Sequence, residues 1–180
     1  MTLVLLVSAI AGTAHAFPHE HIAAAREALL EGDRKLARDS LELADEAFPV
    51  AEGVTPNDFL SSYWYYRGLL ALQRGKSKRA MEEFRQSLIV DNDFQWDKDL
   101  NEQKDARKLF EALRNEVKSR DVHSPKVPEK TGFAQAYVDG TRVRSRDWVA
   151  VGRRLAQIQC PEGDVHGLWT DFKDPLDWLA

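Results

Sequence analysis

The chain has 180 residues, 43% hydrophobic and 30% charged, enough to bury a core in one compact unit or two small ones. Twenty-five basic residues against 29 acidic ones leave a net charge of -4, which gives no electrostatic footprint for nucleic acid. That balance also excludes a wholly disordered or membrane-embedded chain.

Met1 to Ala16 hold no Asp, Glu, Lys or Arg, run through Leu3-Val4-Leu5-Leu6-Val7, and close on Ala14-His15-Ala16. The apolar stretch is shorter than the roughly 20 residues of a spanning helix, and small residues at its end suit a signal peptidase. Residues 1–16 therefore read as a signal peptide. Export to the periplasm or beyond is expected, with a mature start at Phe17 and no membrane span after cleavage. Cys160 is the one cysteine, so no internal disulfide can form. Ala156, Ile158 and Cys160 alternate with Gln157 and Gln159, which places the thiol on the apolar face of a strand.

Apolar residues recur at helical spacing from Glu20 to Leu30 and from Arg34 to Phe48, hinged at Gly32-Asp33, which predicts a helix hairpin. A second pair begins at Thr55-Pro56-Asn57-Asp58, with Thr55 as cap, Pro56 in the first turn and Asp58 reaching back as in a capping box. It runs to about Arg74, turns at Gly75-Lys76, restarts with Ser77 as cap and ends near Asp91. Trp64, Gly68, Gly75, Ala80 and Phe84 of this pair echo Ala25, Gly32, Ala37, Ala44 and Pro49 of the first.

On those residues, 18–51 and 61–94 resemble two tetratricopeptide repeats, a family with a period of about 34 residues and one helix pair per unit. The resemblance makes Gly68 a helix contact, Phe84 the wedge beside it and Gly75 the turn, with Ser87 at the next small position; Leu41 replaces the wedge in the first unit. Ala51 to Leu60 is an insertion between the units. The resemblance also implies a concave groove for an extended peptide or partner helix, lined by Arg26, Tyr65, Leu69 and Gln73.

A third helix is predicted from about Asp99 to Ser119, with Ala106, Leu109, Phe110, Leu113 and Val117 on one face. It reads as a cap on the last apolar face of the stack, with Phe94 and Trp96 plugging the junction. Residues 17–120 form the helical domain of this reading. The Pro-punctuated stretch around His123-Ser124-Pro125-Lys126-Val127-Pro128 makes 121–131 a linker.

Beyond it the pattern alternates. Tyr137-Val138-Asp139-Gly140-Thr141-Arg142-Val143 signals a hairpin turning at Asp-Gly, and Trp148–Val151, Leu155–Cys160 and Val165–Trp169 are further strand candidates. Val138-Asp139-Gly140 followed by Val151-Gly152-Arg153-Arg154-Leu155-Ala156-Gln157-Ile158 resembles the PEGA domain, a small β-module of envelope and secreted bacterial proteins. The place of that family's naming tetrapeptide reads Thr131-Gly132-Phe133-Ala134. The fold expected is thus α+β: two helix hairpins and a capping helix, then a small antiparallel β-module over 132–180.

Chemistry-bearing motifs are few. Gly75-Lys76-Ser77 lacks the earlier Gly of a phosphate-cradling loop. His19-Glu20-His21 lies at the mature N-terminus, where Pro18 withholds a backbone nitrogen from a square-planar metal site. Asp164, His166 and Asp171 lie close in sequence without a visible nucleophile.

No cofactor or metal site is assigned. The expected function is an exported, non-enzymatic scaffold or adaptor mediating protein–protein contacts in a bacterial envelope assembly, its partner an envelope protein or peptide segment. An alternative is a peptidoglycan- or glycan-binding module that stacks sugars on Trp148 and Trp169. A second is an envelope hydrolase using Asp164 and His166.

Overall fold

In a computed structural model of the chain, residues 17–100, 104–119, 135–144, 149–150 and 152–172 are described. Their elements are α1 (Pro18–Glu31), α2 (Arg34–Ala47), a 3-10 turn (Phe48–Val50), α3 (Asn57–Gln73), α4 (Ser77–Val90), a second 3-10 turn (Lys98–Leu100), α5 (Lys104–Ser119), β1 (Gln135–Val138), β2 (Thr141–Val143), β3 (Gly152–Gln159) and β4 (Val165–Phe172). Helices followed by one antiparallel sheet make the layout α+β. The signal-peptide segment 1–16 and the linker 121–131 lie outside the described residues.

The two hairpins close by the same device. Gly32 has φ 78°, its N–H donates to Leu29 O at 3.3 Å, and Asp33 N donates to Ala28 O at 2.8 Å. Gly75 has φ 71°, with Gly75 N to Leu72 O and Lys76 N to Ala71 O both at 2.9 Å. Each left-handed glycine lets the chain fold back onto the last carbonyls of the preceding helix.

Helix starts differ from the sequence expectation. Asp33 caps α2, accepting from Lys35 N at 3.0 Å and Leu36 N at 2.9 Å. Thr55 does not cap α3 and no capping box forms. Pro56 precedes the helix without a side-chain bond, and the Thr55 N–H donates instead to Gln157 Oε1 at 2.9 Å. Asp58 turns to Phe59 N at 2.9 Å. Ser77 is the first helical residue of α4 and gives no cap.

α3 is the central helix, buried on nearly every side from Leu60 to Ala71, as a helix apolar all round must be. Ala25, Ala37, Ala44 and Ala80 are fully covered at helix crossings. Phe84 fills the space beside Gly68, and α5 closes the stack by setting Phe110 edge-on to Phe84, ring centroids 5.4 Å apart. Phe94 and Trp96 pack on Tyr65 at 5.2 and 5.3 Å, so they do plug the junction.

The sheet runs β2-β1-β3-β4, antiparallel throughout, with Tyr137 opposite Gln157 and Leu155 opposite Trp169. Asp139 and Gly140 form the β1–β2 turn with φ 49° and 76°, the positive pair that a two-residue hairpin needs. Of the candidate strand Trp148–Val151, the described residues Val149 and Ala150 are not in a strand; Val149 packs instead with Val138, Ala156 and Phe172 on one face of the sheet.

The opposite face meets the helices. Leu155 joins the helical core, and Trp169 lies 5.7 to 6.0 Å from the rings of Phe48, Tyr63 and Trp64. Gln157, expected on a polar face, is 1% exposed here and donates Nε2 to Gly53 O at 3.3 Å. Cys160 is a free, half-buried thiol just past β3, rather than a core residue. Gln157 is covered because the segment between the hairpins presents the backbone of Gly53 and Thr55 to it, and those groups need polar partners.

Candidate functional site

The expected groove residues come first. Arg26, on α1, donates Nε to Asp97 Oδ2 at 2.6 Å and Nη2 to Asp97 Oδ1 at 3.2 Å, and also reaches Asp99. Tyr66 OH donates to Asp97 Oδ2 at 3.1 Å, while Tyr65 OH accepts from Asp97 N at 3.3 Å. The Asp97 hydrogen bond lifts the Arg26 pKa above its ordinary value, and burial pushes the Tyr65 and Tyr66 hydroxyls up. Arg26 and Tyr65 are thus brought together, but around the chain's own segment.

Tyr65 and Leu69 are 0% exposed, which corrects their placement in an open groove. Phe94, Trp96 and Phe110 return over α3 and occupy the surface where a peptide was expected to lie. Gln73 lies apart from the others, in a cleft of about 530 Å³ with Leu72, Ser77, Lys104, Ala106 and Leu109.

A different concavity lies between the hairpins. It has a volume of about 160 Å³, with Leu41, Leu70 and Ala71 among its lining residues, and Arg38, Arg67, Arg74, Lys76 and Arg79 around them with Glu42. α2 supplies Arg38, α3 supplies Arg67, the turn after α3 supplies Arg74 and Lys76, and the first turn of α4 supplies Arg79.

Arg67 Nη2 lies 3.0 Å from Glu83 Oε1, and Arg79 Nε lies 3.2 Å from the same oxygen. Burial works against the Arg67 charge, yet Tyr63 and Glu83 together raise its pKa. Arg38 is engaged by Asp39 at 2.7 Å and Glu42 at 3.7 Å. Arg74 and Lys76 are exposed and have no carboxylate partner among the described residues.

Comparison of the chain with protein-family models, curated proteins and solved structures finds no match. The site's chemistry therefore rests on its own geometry. Sequence reading missed the cleft, although Arg74-Gly75-Lys76-Ser77-Lys78-Arg79 is a visible basic run. Arg38 and Arg67 join it only through hairpin stacking.

The remaining candidates are placed as follows. His19 is exposed, its ring stacked between Phe17 and Phe59 at 5.6 and 5.5 Å, and among the described residues no group of three or more His, Cys, Asp or Glu is placed to hold a metal. Asp164, His166 and Asp171 are exposed, with His166 opposite Ile158 and Asp171 opposite Arg153. Trp148 lies outside the described residues. Trp169 is not free to stack on a sugar: its Nε1 donates to Asp45 O at 2.9 Å, and Arg153 covers its ring at 4.6 Å. No described helix is long and apolar enough to cross a membrane.

Proposed function

We propose that the chain is an exported, non-enzymatic adaptor that joins proteins of a bacterial envelope assembly, built on two tetratricopeptide-like hairpins with a PEGA-like sheet docked on them. The observation that carries this reading is the cleft between the hairpins. Concave surfaces with an apolar lining and converging polar groups are where chains bind other molecules, and helical hairpins commonly receive partner segments. The apolar, uncharged stretch Met1–Ala16 supports export.

The partner site of this proposal is the cleft of Arg38, Arg67, Arg74, Lys76 and Arg79, in place of the expected groove, where Tyr65 and Leu69 are covered and Gln73 lies apart. The test is affinity capture from envelope extracts with the full chain beside Arg74→Glu/Lys76→Glu. A partner held by the wild type and released by the variant supports the reading. Equal capture by both, or a mature N-terminus other than Phe17 in cytoplasmic fractions alone, overturns it.

A further inference from the structure

Resting on the adaptor reading, we propose that the cleft between α2, α3 and the start of α4 takes an acidic segment of the partner protein, in which an apolar side chain is flanked by carboxylates.

The cleft already shows how its cations treat a carboxylate. Glu83, 6% exposed, is gripped from two sides by Arg67 and Arg79. Arg38 is satisfied by Asp39 and Glu42. Glu83 is thus shared by two guanidinium groups and Arg38 is held by carboxylates of its own helix, while Arg74 and Lys76 at the rim have no carboxylate partner among the described residues. These two positions flank the turn at Gly75, on a chain whose overall charge is -4. A basic rim on an acidic protein is a local polarity that selects anions.

Three features narrow the anion to a protein segment. Leu41, Leu70 and Ala71 are 3, 6 and 5% exposed and form the apolar lining, which an inorganic anion would leave wet. A volume of about 160 Å³ suits one aliphatic side chain rather than a folded surface. α4 starts without a side-chain cap and with no acidic residue in its first turn, so its leading N–H groups add to the attraction for a carboxylate held by Lys76. The arginine at the rim offers a planar fork to one carboxylate, and the lysine a point charge to the next.

The test is fluorescence anisotropy with the full chain and a short labelled peptide of alternating Glu and Leu. Binding is expected to weaken about tenfold or more in Arg74→Glu/Lys76→Glu and as salt rises from low to molar concentration. The charge-matched control Lys108→Glu/Arg142→Glu, at exposed positions outside the cleft, should bind like the wild type, and a Glu/Ser peptide of equal charge should bind several-fold more weakly.

No peptide binding by the wild type, an equal loss in the control variant, or equal competition by inorganic phosphate or polyglutamate would each overturn the proposal. The two readings separate cleanly. If Arg74→Glu/Lys76→Glu releases an envelope partner but the acidic peptide never binds, the partner's chemistry is wrong while the adaptor survives; if the partner is held regardless, the cleft is not the adaptor's site.

Discussion

Gly68 lies against the Phe84 ring so closely that a Cβ on it would sit 2.5 Å from Cδ1 and Cε1. Alanine would favour the helix by roughly 0.5–1 kcal/mol, but Phe84 is fully buried and cannot swing aside. Overpacking of this kind costs about 1–3 kcal/mol, so the clash wins. Gly68→Ala is expected to lower stability in urea unfolding. Adding Phe84→Leu, which removes the obstructing ring edge, should recover part of the loss. An unchanged midpoint for Gly68→Ala would show that the two hairpin helices do not cross here.

Gly140 and Gly163 share a positive φ, at 76° and 101°, but differ in surroundings. A Cβ at Gly140 would run into the backbone of Thr55, Pro56 and Asn57, whereas one at Gly163 meets nothing within 4 Å. Gly163→Ala should therefore cost only conformational strain, on the order of 1 kcal/mol. Gly140→Ala should cost clearly more and should loosen the sheet from the helices. Limited proteolysis after β1 would report that loosening, and equal midpoints for the two variants would count against the close approach.

These contacts mark what was legible in the sequence and what was not. Gly32 and Gly75 announce identical turns because a left-handed cap is a local requirement, and Asp139-Gly140 announces its hairpin for the same reason. Gly68 with Phe84 was expected as a helix contact from the tetratricopeptide resemblance, which fits the need of closely crossing helices for a small residue beside a large one. The burial of Tyr65 and Leu69 was not readable, since it depends on Phe94, Trp96 and Phe110 returning from farther along the chain. Gln157 was misplaced for a related reason. Alternation tells which residues share a face of a strand, and only the docked partner, here the Gly53–Thr55 backbone, tells which face is covered. The cleft combined both cases: the run from Arg74 to Arg79 was visible, whereas Arg38 and Arg67 converge on it only in three dimensions.

Asp45 ties the sheet to α2 and α3. Its carboxylate accepts from Tyr63 OH at 2.5 Å and from Arg153 Nη2 at 2.9 Å, and its carbonyl accepts from Trp169 Nε1 at 2.9 Å. Burial holds the Tyr63 hydroxyl protonated far above its ordinary range, so it acts here as a donor. Removing the carboxylate leaves that buried hydroxyl without an acceptor, although it still accepts from Arg67 Nη1, while removing Arg153 leaves Asp45 partly exposed and still bonded to Tyr63. Asp45→Ala should destabilise by about 1–3 kcal/mol and Arg153→Ala by less. Thermal denaturation of the two variants measures the order, and a larger loss for Arg153→Ala would reverse the assignment.

Asp97 latches the segment before α5 onto α1 and α3, and its charge makes the latch acid-sensitive. Burial alone would raise its pKa, but the Arg26 hydrogen bond, the Asp99 N–H at 3.0 Å and Tyr66 OH outweigh burial and hold it below the usual carboxylate value. A carboxyl group whose pKa is lower folded than unfolded contributes stability above its unfolded value, and that contribution disappears as pH falls through the folded value. The loss therefore belongs below about pH 4, with none between pH 5 and 8 from this group. Asp97→Asn keeps the shape but removes the charge, and should cost about 1–3 kcal/mol at neutral pH, since the Asp97 side chain is only 13% exposed and Arg26 loses its main partner. Urea titrations of wild type and variant across this range should show a constant gap down to about pH 5 that narrows below pH 4 as the wild-type carboxylate itself becomes protonated. A gap that persists undiminished at the acid end would mean that the charge of Asp97 is not what holds the segment.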